Sequence, residues 1–183
     1  MAVRPILRAG NPLLRKRSEE FTIEEIRSPE TAALIADMFE TMEKAHGQGL
    51  AAPQIGVLKR LVIVRLFRYE DSGRKESYID RILFNPEIKI LEGTKIGSWE
   101  GCLSVPGMMG YVERNRRIQL TFLDEQAVKH EELIEGYDAV VYQHECDHLD
   151  GILYIDRLSD SRLFGFEEDI DTKALKALAA ART

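Results

Sequence analysis

Cysteine is scarce in this chain, with only Cys102 and Cys146 among 183 residues. That is too few for a disulfide framework and suits a reducing compartment, where a thiol packs or binds a metal. Apolar runs are short as well. The stretch from Leu61 to Leu66 is interrupted by Arg65 and soon by Arg68, well below the roughly 18 uncharged apolar residues of a membrane span. The N-terminal segment carries Arg4, Pro5 and Arg8 where a secretion signal needs about 7–15 unbroken apolar positions. The expectation is a soluble cytoplasmic protein. Positive charge is outnumbered: 25 Lys and Arg against 31 Asp and Glu leave a net charge of −6. This gives no electrostatic reason to expect a duplex or an anionic membrane as the main partner. Repeats, low-complexity tracts and interdomain linkers are absent too. With 44% hydrophobic residues, the chain suffices for one core and is too short to make two comfortably.

What is present begins with a helical pattern. Leu34, Ile35, Met38, Phe39 and Met42 recur at helical spacing between Pro29 and Ala45 and stop before Gly47 and Gly49, which predicts an amphipathic helix packing its stripe in the core. Leu61 to Leu66, Ile82 to Leu91 and Ile118 to Leu123 are rich in β-branched and aromatic residues and read as strands. The polar segment Tyr69 to Ser77 between them reads as a loop. A second amphipathic helix is expected from Tyr137 to Leu149, stopped by Asp150-Gly151. A third is expected from about Ser161 to Arg182, where Leu175, Leu178 and the closing alanines favour helix and Lys173, Lys176 and Arg182 form a solvated face. The architecture expected is a single α+β domain over residues 1–183, with helices flanking a mainly antiparallel sheet.

Chemistry concentrates in the second helix, where His144-Glu145-Cys146-Asp147-His148 forms an H-E-x-x-H motif. Four residues bring the two imidazoles to nearly the same azimuth about 6 Å apart, which suits two ligands of one metal. Glu145 is placed to work on water beside them. Two histidines make a poor catalytic centre alone, and Cys102 in Glu100-Gly101-Cys102-Leu103-Ser104 is the natural third ligand; its bland reading is a small buried hydrophobe. Cys146 points roughly 200° around the helix from His144, away from the metal face. A third cluster, Gly47-Gln48-Gly49-Leu50-Ala51-Ala52-Pro53-Gln54, has small residues that permit close approach of another chain or ligand. By itself it could be only a tight connection.

Together the three segments, in order and spacing, resemble the motifs of peptide deformylases. The likeness runs from Pro5-Ile6-Leu7 and Asn11-Pro12-Leu13-Leu14-Arg15 to Leu153-Tyr154-Ile155-Asp156-Arg157-Leu158. The resemblance implies that Cys102, His144 and His148 hold the metal and that Glu145 is the general base. It implies that Gln54, through its side chain, and Leu103, through its backbone N–H, stabilise the oxyanion. It further implies that Gln48, Gly49, Gly101, Tyr137, Val140 and Val141 line the site for the substrate's first side chain. The implied cofactor is one Fe²⁺ per chain, for which Zn²⁺, Ni²⁺ or Co²⁺ can substitute. The implied substrates are N-formylmethionyl nascent peptides, with formate and a free amino terminus as products. Transient contact with the ribosome stays open, and neither nucleic-acid readout nor a membrane is implied.

Three positions depart from that pattern. Gln48 stands where an apolar residue is usual, Tyr137 where leucine is frequent, and Met109 where many members carry an arginine that contacts the peptide beyond its first residue. Two rival readings remain at this point. An H-E-x-x-H endopeptidase would cut internal bonds with similar chemistry, and Cys102 argues against it. A closed, non-enzymatic metal site would need a fourth protein ligand and no Glu145.

Overall fold

Thr22 and Ser28 start the first two helices. The Thr22 hydroxyl accepts from the Glu25 N–H at 3.2 Å while the Glu25 carboxylate accepts from the Thr22 N–H at 2.7 Å, a reciprocal cap that opens the single turn α1 (Ile23–Ile26). Ser28 caps α2 (Pro29–Lys44), with Pro29 in the first turn, where a missing N–H costs nothing. The helix ends one residue before the boundary expected from sequence. The computed structural model describes residues 2–70, 73, 75–91, 93–171, 173 and 177.

After α2 come β1 (Gly49–Ala51), β2 (Leu61–Tyr69), β3 (Lys75–Ile90), β4 (Lys95–Cys102), β5 (Val105–Asn115), β6 (Arg117–Leu123) and β7 (Lys129–Glu135). Helix α3 (Tyr137–Leu149) and the short strand β8 (Phe164–Phe166) complete the order. The strands form a five-stranded sheet, β1-β2-β3-β6-β7, and a three-stranded one, β4-β5-β8. Every strand pairing in them is antiparallel. The strands expected at Leu61 to Leu66 and Ile118 to Leu123 lie inside β2 and β6, and the one expected at Ile82 to Leu91 lies in β3 up to Ile90. Strand β2 continues to Tyr69 and β3 begins at Lys75, so the expected loop is shorter than Tyr69 to Ser77; Asp71, Ser72 and Arg74 lie outside the described residues.

Strand alternation explains the layers, because successive side chains leave opposite faces. Leu61 and Ile63 join Met38, Met42 and Leu50 on one face. Val62, Val64 and Leu66 meet Ala139, Val141 and Tyr142 of α3 on the other. Beyond α3, the small sheet contributes Val105 and Val112, which cluster with Leu153, Tyr154 and the half-buried Cys102. Helix α3 therefore lies between two sheets. Its residues from Ala139 to Cys146, then His148 and Leu149, are all buried, so the one-sided amphipathic helix expected from sequence is corrected to a helix covered nearly all round. The second sheet, which sequence reasoning did not find, supplies the extra cover.

The helix stops at Gly151, whose φ of 72° suits glycine. A Cβ there would lie 2.6 Å from the carbonyl carbon of Arg15. The N-terminal segment straps the site loops: Leu7 N–H donates to the Gln54 carbonyl at 2.8 Å and Ala9 N–H to that of Ser104 at 2.7 Å. At the other end, the first part of the helix expected from about Ser161 to Arg182 is instead a 3-10 turn at Ser161–Leu163, strand β8 and another 3-10 turn at Glu167–Asp169, whereas Lys173 and Ala177 are helical. Phe164, Gly165 and Phe166 pair with Gly110, Met109 and Met108 of β5, and that pairing outweighs the local helical pattern. Most of 172–183, including Leu175, Leu178 and Arg182, lies outside the described residues.

Candidate metal centre

Two histidines one helical turn apart form the floor of the centre. The rings of His144 and His148 lie 5.2 Å apart between centroids, 72° to one another. Cys102 arrives from the end of β4, where the register shifts between Gly101 and Cys102; such a bulge re-aims a side chain. Its Sγ lies 3.3 Å from His148 Nε2. One donor atom from each of Cys102, His144 and His148 lies within 4.8 Å of the others, close enough to share one ion. The sequence thus identified three residues that the fold brings together.

Glu100 fixes His144 from behind. Its Oε2 is 2.8 Å from His144 Nδ1, which leaves Nε2 for the cluster. The same carboxylate takes two hydrogen bonds from the Arg114 guanidinium, at 2.8 and 2.9 Å, and Arg114 also pairs with Asp147. Asp147 in turn pairs with Arg157 at 2.6 Å. Burial would raise the pKa of Glu100, but the hydrogen bonds from Arg114 and His144 hold it down to about 2. Burial disfavours a charged His144, yet Cys102, Glu100 and Glu145 outweigh it and raise its pKa to about 10. Anionic surroundings that hold a proton there would equally hold a cation. His148, buried and facing the charges of His144 and Arg114, is pushed well below the usual range and so is neutral, the form that ligates metal.

Glu145 sits beside this cluster. Its Oε2 is buried and has no hydrogen-bond partner, a costly state that a water or ion at the centre would relieve. This orphaned oxygen, together with the thiol and imidazole donors, fits a catalytic metal with an open position. Burial, with the Glu100 charge adding to it, raises the Glu145 pKa to about 7 despite the opposing His144 and Arg114. A group poised there both takes and gives a proton near neutrality. Room for it comes from Gly49: a Cβ at that position would lie 2.3 Å from Glu145 Oε1.

Gln54 is 2% exposed. Its Oε1 accepts from the Ala51 N–H at 2.8 Å, and its Nε2 donates to Ser104 Oγ at 3.2 Å and to Cys102 Sγ at 3.5 Å. The amide donor therefore faces the metal cluster. A cleft of about 520 Å³ opens over it, lined by Gln54, Gly101, Cys102, Leu103, His144 and Glu145. Gln48, Gly49, Tyr137, Val140 and Val141 line the same cleft, so every site residue expected from sequence borders it except His148, which lies behind.

Met109 does not line the cleft, whereas its neighbour Met108 does, as strand alternation requires of adjacent residues. Sequence reasoning missed His46, Trp99 and Glu167 in the lining, and Tyr154, whose ring stacks on His144 at 6.1 Å. His46 stands directly before Gly47, Trp99 directly before Glu100 and Tyr154 within Leu153–Leu158, so each adjoined a motif that could have drawn attention to it, whereas Glu167 did not. Cys146 is buried and lines a different cleft with Arg60 and Gln143, away from the ligands as its azimuth demanded.

Comparison with known proteins gives concordant results. Residues 3–163 match the family model described as polypeptide deformylase. A peptide deformylase of Leptospira biflexa is 54% identical over 176 residues, covering 94% of this chain and 97% of that protein. Peptide deformylase 2 of Ralstonia nicotianae is 43% identical over 166 residues, or 91% of this chain and 93% of that one. Among solved structures, the class I type b peptide deformylase of Acinetobacter baumannii bound to Met-Ala-Ser superposes with a TM-score of 0.79 at 32% identity, over 85% of this chain and 98% of that one. The enzyme of Thermotoga maritima gives 0.76 at 36% identity, over 87% and 100%.

Proposed function

The chain belongs to the polypeptide deformylase family, and on that premise we propose that Cys102, His144 and His148 hold its catalytic metal while Glu145 moves the protons of the reaction. The activity is hydrolytic removal of the formyl group from the N terminus of new polypeptides. The observation that carries the site assignment is the meeting of Cys102 Sγ with the two histidine donors within 4.8 Å, beside the unpartnered carboxylate oxygen of Glu145.

A divalent ion bound by these three residues supplies positive charge that acidifies water and polarises the formyl oxygen. Glu145 takes a proton from the attacking water as its oxygen bonds to the formyl carbon. The negative charge that develops on the formyl oxygen is met by the Gln54 amide and the Leu103 backbone N–H, donors held in place before the reaction begins. Glu145 then returns a proton to the departing nitrogen, the C–N bond breaks, and formate and a free amine leave. Gln48, Gly49, Gly101, Tyr137, Val140 and Val141 receive the first side chain, with methionine as the residue expected there. A formyl carbon bears only hydrogen where an internal peptide bond carries a residue, so a close-fitting pocket rejects internal bonds.

The native ion in this reading is Fe²⁺. A Cys-His-His set accepts it alongside Zn²⁺, Ni²⁺ and Co²⁺, and the family resemblance favours iron. A cytoplasmic location and brief contact with the ribosome follow from the substrate, which is made there. The test is formate release from a formyl-Met peptide, run beside its unformylated twin and a chelated control, with metal content measured after anaerobic purification. No release by metal-loaded protein would refute the reading, as would cleavage of an internal bond in the unformylated peptide.

A further inference from the structure

A second, smaller cavity of about 280 Å³ adjoins the catalytic cleft and shares Ile6, Ala45, Leu103 and Pro106 with it. Val3 extends the apolar floor, and its charged lining consists of Arg4, Arg8 and Lys44, with no acidic residue among them. Arg4 is neutralised by Asp37 at 2.7 Å. Arg8 and Lys44 are exposed, and neither appears in any ion pair or side-chain hydrogen bond among the described residues. Two free cations at one end of the cleft stand out on a chain of net charge −6.

We propose that this groove receives acidic side chains of the nascent polypeptide downstream of its formylated residue, with Arg8 and Lys44 supplying the counter-charge. The inference rests on the deformylase reading and extends it to substrate choice. The wall of Ile6, Ala45, Leu103 and Pro106 that the two cavities share favours the substrate as occupant, since a peptide that leaves the cleft over that wall would meet the groove. Its size suits one or two side chains. The N-terminal strap fixes the groove relative to the chemistry, because Leu7 and Ala9 are tied by their N–H groups to the Gln54 and Ser104 carbonyls.

The test uses the metal-loaded full chain and formyl-Met-Ala peptides that carry Asp, Ala or Lys at each of the next positions in turn. At low salt, Asp at one or more positions is expected to raise kcat/KM about threefold to tenfold over Ala, through KM with kcat unchanged, and Lys is expected to lower it. The preference should collapse near 0.5 M salt, where screening acts over roughly 4–5 Å, and in the Arg8→Ser, Lys44→Ser double variant. Equal kcat/KM for Asp and Ala at every position would overturn the proposal, as would a preference that survives the double substitution. Inhibition by a single-stranded RNA oligomer without any peptide preference would also overturn it and make the patch a nucleic-acid contact. Formyl-Met-Ala alone separates the two claims: no formate from it sinks the deformylase reading, whereas formate without acidic preference sinks only the groove.

Discussion

The Tyr137 hydroxyl donates to the side-chain oxygen of Gln48 at 3.3 Å, tying the first residue of α3 to the loop that follows α2. These are two of the three positions at which the chain departs from the family pattern, and the structure shows them to be partners. Each polar side chain answers the other. Their bond joins two residues that line the same cleft, so under the proposed reading the two side chains act as a unit on the first residue of the substrate.

That coupling is measurable. In a cycle of Tyr137→Phe, Gln48→Leu and the double variant, kcat/KM on a formyl-Met peptide is expected to be non-additive by about 0.5–1 kcal/mol, the range of one partly exposed hydrogen bond. Additive effects would show that the two side chains act separately.

Glu145→Gln keeps the shape of the side chain and removes its basicity. Formate release is expected to fall by about 10²–10⁴ in kcat, with metal content per chain preserved. Gln54→Ala is expected to lower kcat by about 10–10³ through the lost donor, also with the metal retained, whereas His144→Ala should empty the site. Unchanged kcat in the Gln54 variant would remove that residue from the proposed oxyanion site.

Arg114→Met tests the support behind His144. It leaves Glu100, 6% exposed, without its cationic partner, and stranding one member of a buried ion pair costs about 3–5 kcal/mol. The urea midpoint is expected to drop accordingly, and metal retention with it, because Glu100 orients His144. A variant with native stability and full metal occupancy would mean the pair is dispensable.

The β6–β7 hairpin carries a pH signature. Asp124 lies 2.7 Å from His130 Nε2 and accepts from the Gln126 and Val128 N–H groups at 2.9 Å each. The His130 hydrogen bond, helped by the two backbone donors, lowers its pKa against the opposing effect of burial. With the folded value below the unfolded one of about 3.9, the stabilisation is fully present above that pH and is lost as pH falls through the folded value. Asp124→Asn is therefore expected to lower the urea midpoint at pH 6, with the difference from the parent shrinking below pH ~4. A difference that stays constant down to pH ~2 would assign the effect to something other than the carboxylate charge.

Local information explains which parts of the molecule could be read from its sequence. Helix α2 was legible because Ser28, Pro29 and the Ile35–Met38–Met42 stripe agree on one helix, and α3 because its histidines follow the same period. Strands β4 and β5 were hidden by Gly97, Gly101, Pro106, Gly107 and Gly110, residues that break a strand pattern, although Gly101 sits at the bulge and a Cβ at Gly97 or Gly110 would run into Tyr111 or Leu158. Strand β7 reads Lys-His-Glu-Glu-Leu-Ile-Glu, more polar than a typical strand, as befits a sheet edge kept from further pairing. Around Ser161 the helical pattern gave way to pairing with β5, which no local window contains.

The metal centre shows the same division. His144, Glu145 and His148 announce themselves within one turn. Cys102 drew attention only as a thiol able to complete the histidine pair, and the fold alone brings it there, since 46 residues separate it from the histidine it faces. Glu100 looked like any acidic residue beside a glycine; its grip on His144 and Arg114 exists only once the small sheet closes. Glu167 enters the cleft lining through the chain after β8 and had no sequence signal at all.

The position of α3 between two sheets also governs how the protein acquires its chemistry. The histidines arrive with the helix packed on the large sheet, but the thiol comes with the small one, so neither half alone can hold an ion in the full three-donor cage. Assembly of the cage is thereby a report that both halves have closed, and an ion bound there acts as a rivet across the seam. On the proposed ligand set, a copy whose two halves have not joined lacks the thiol beside the histidines and so lacks the complete site.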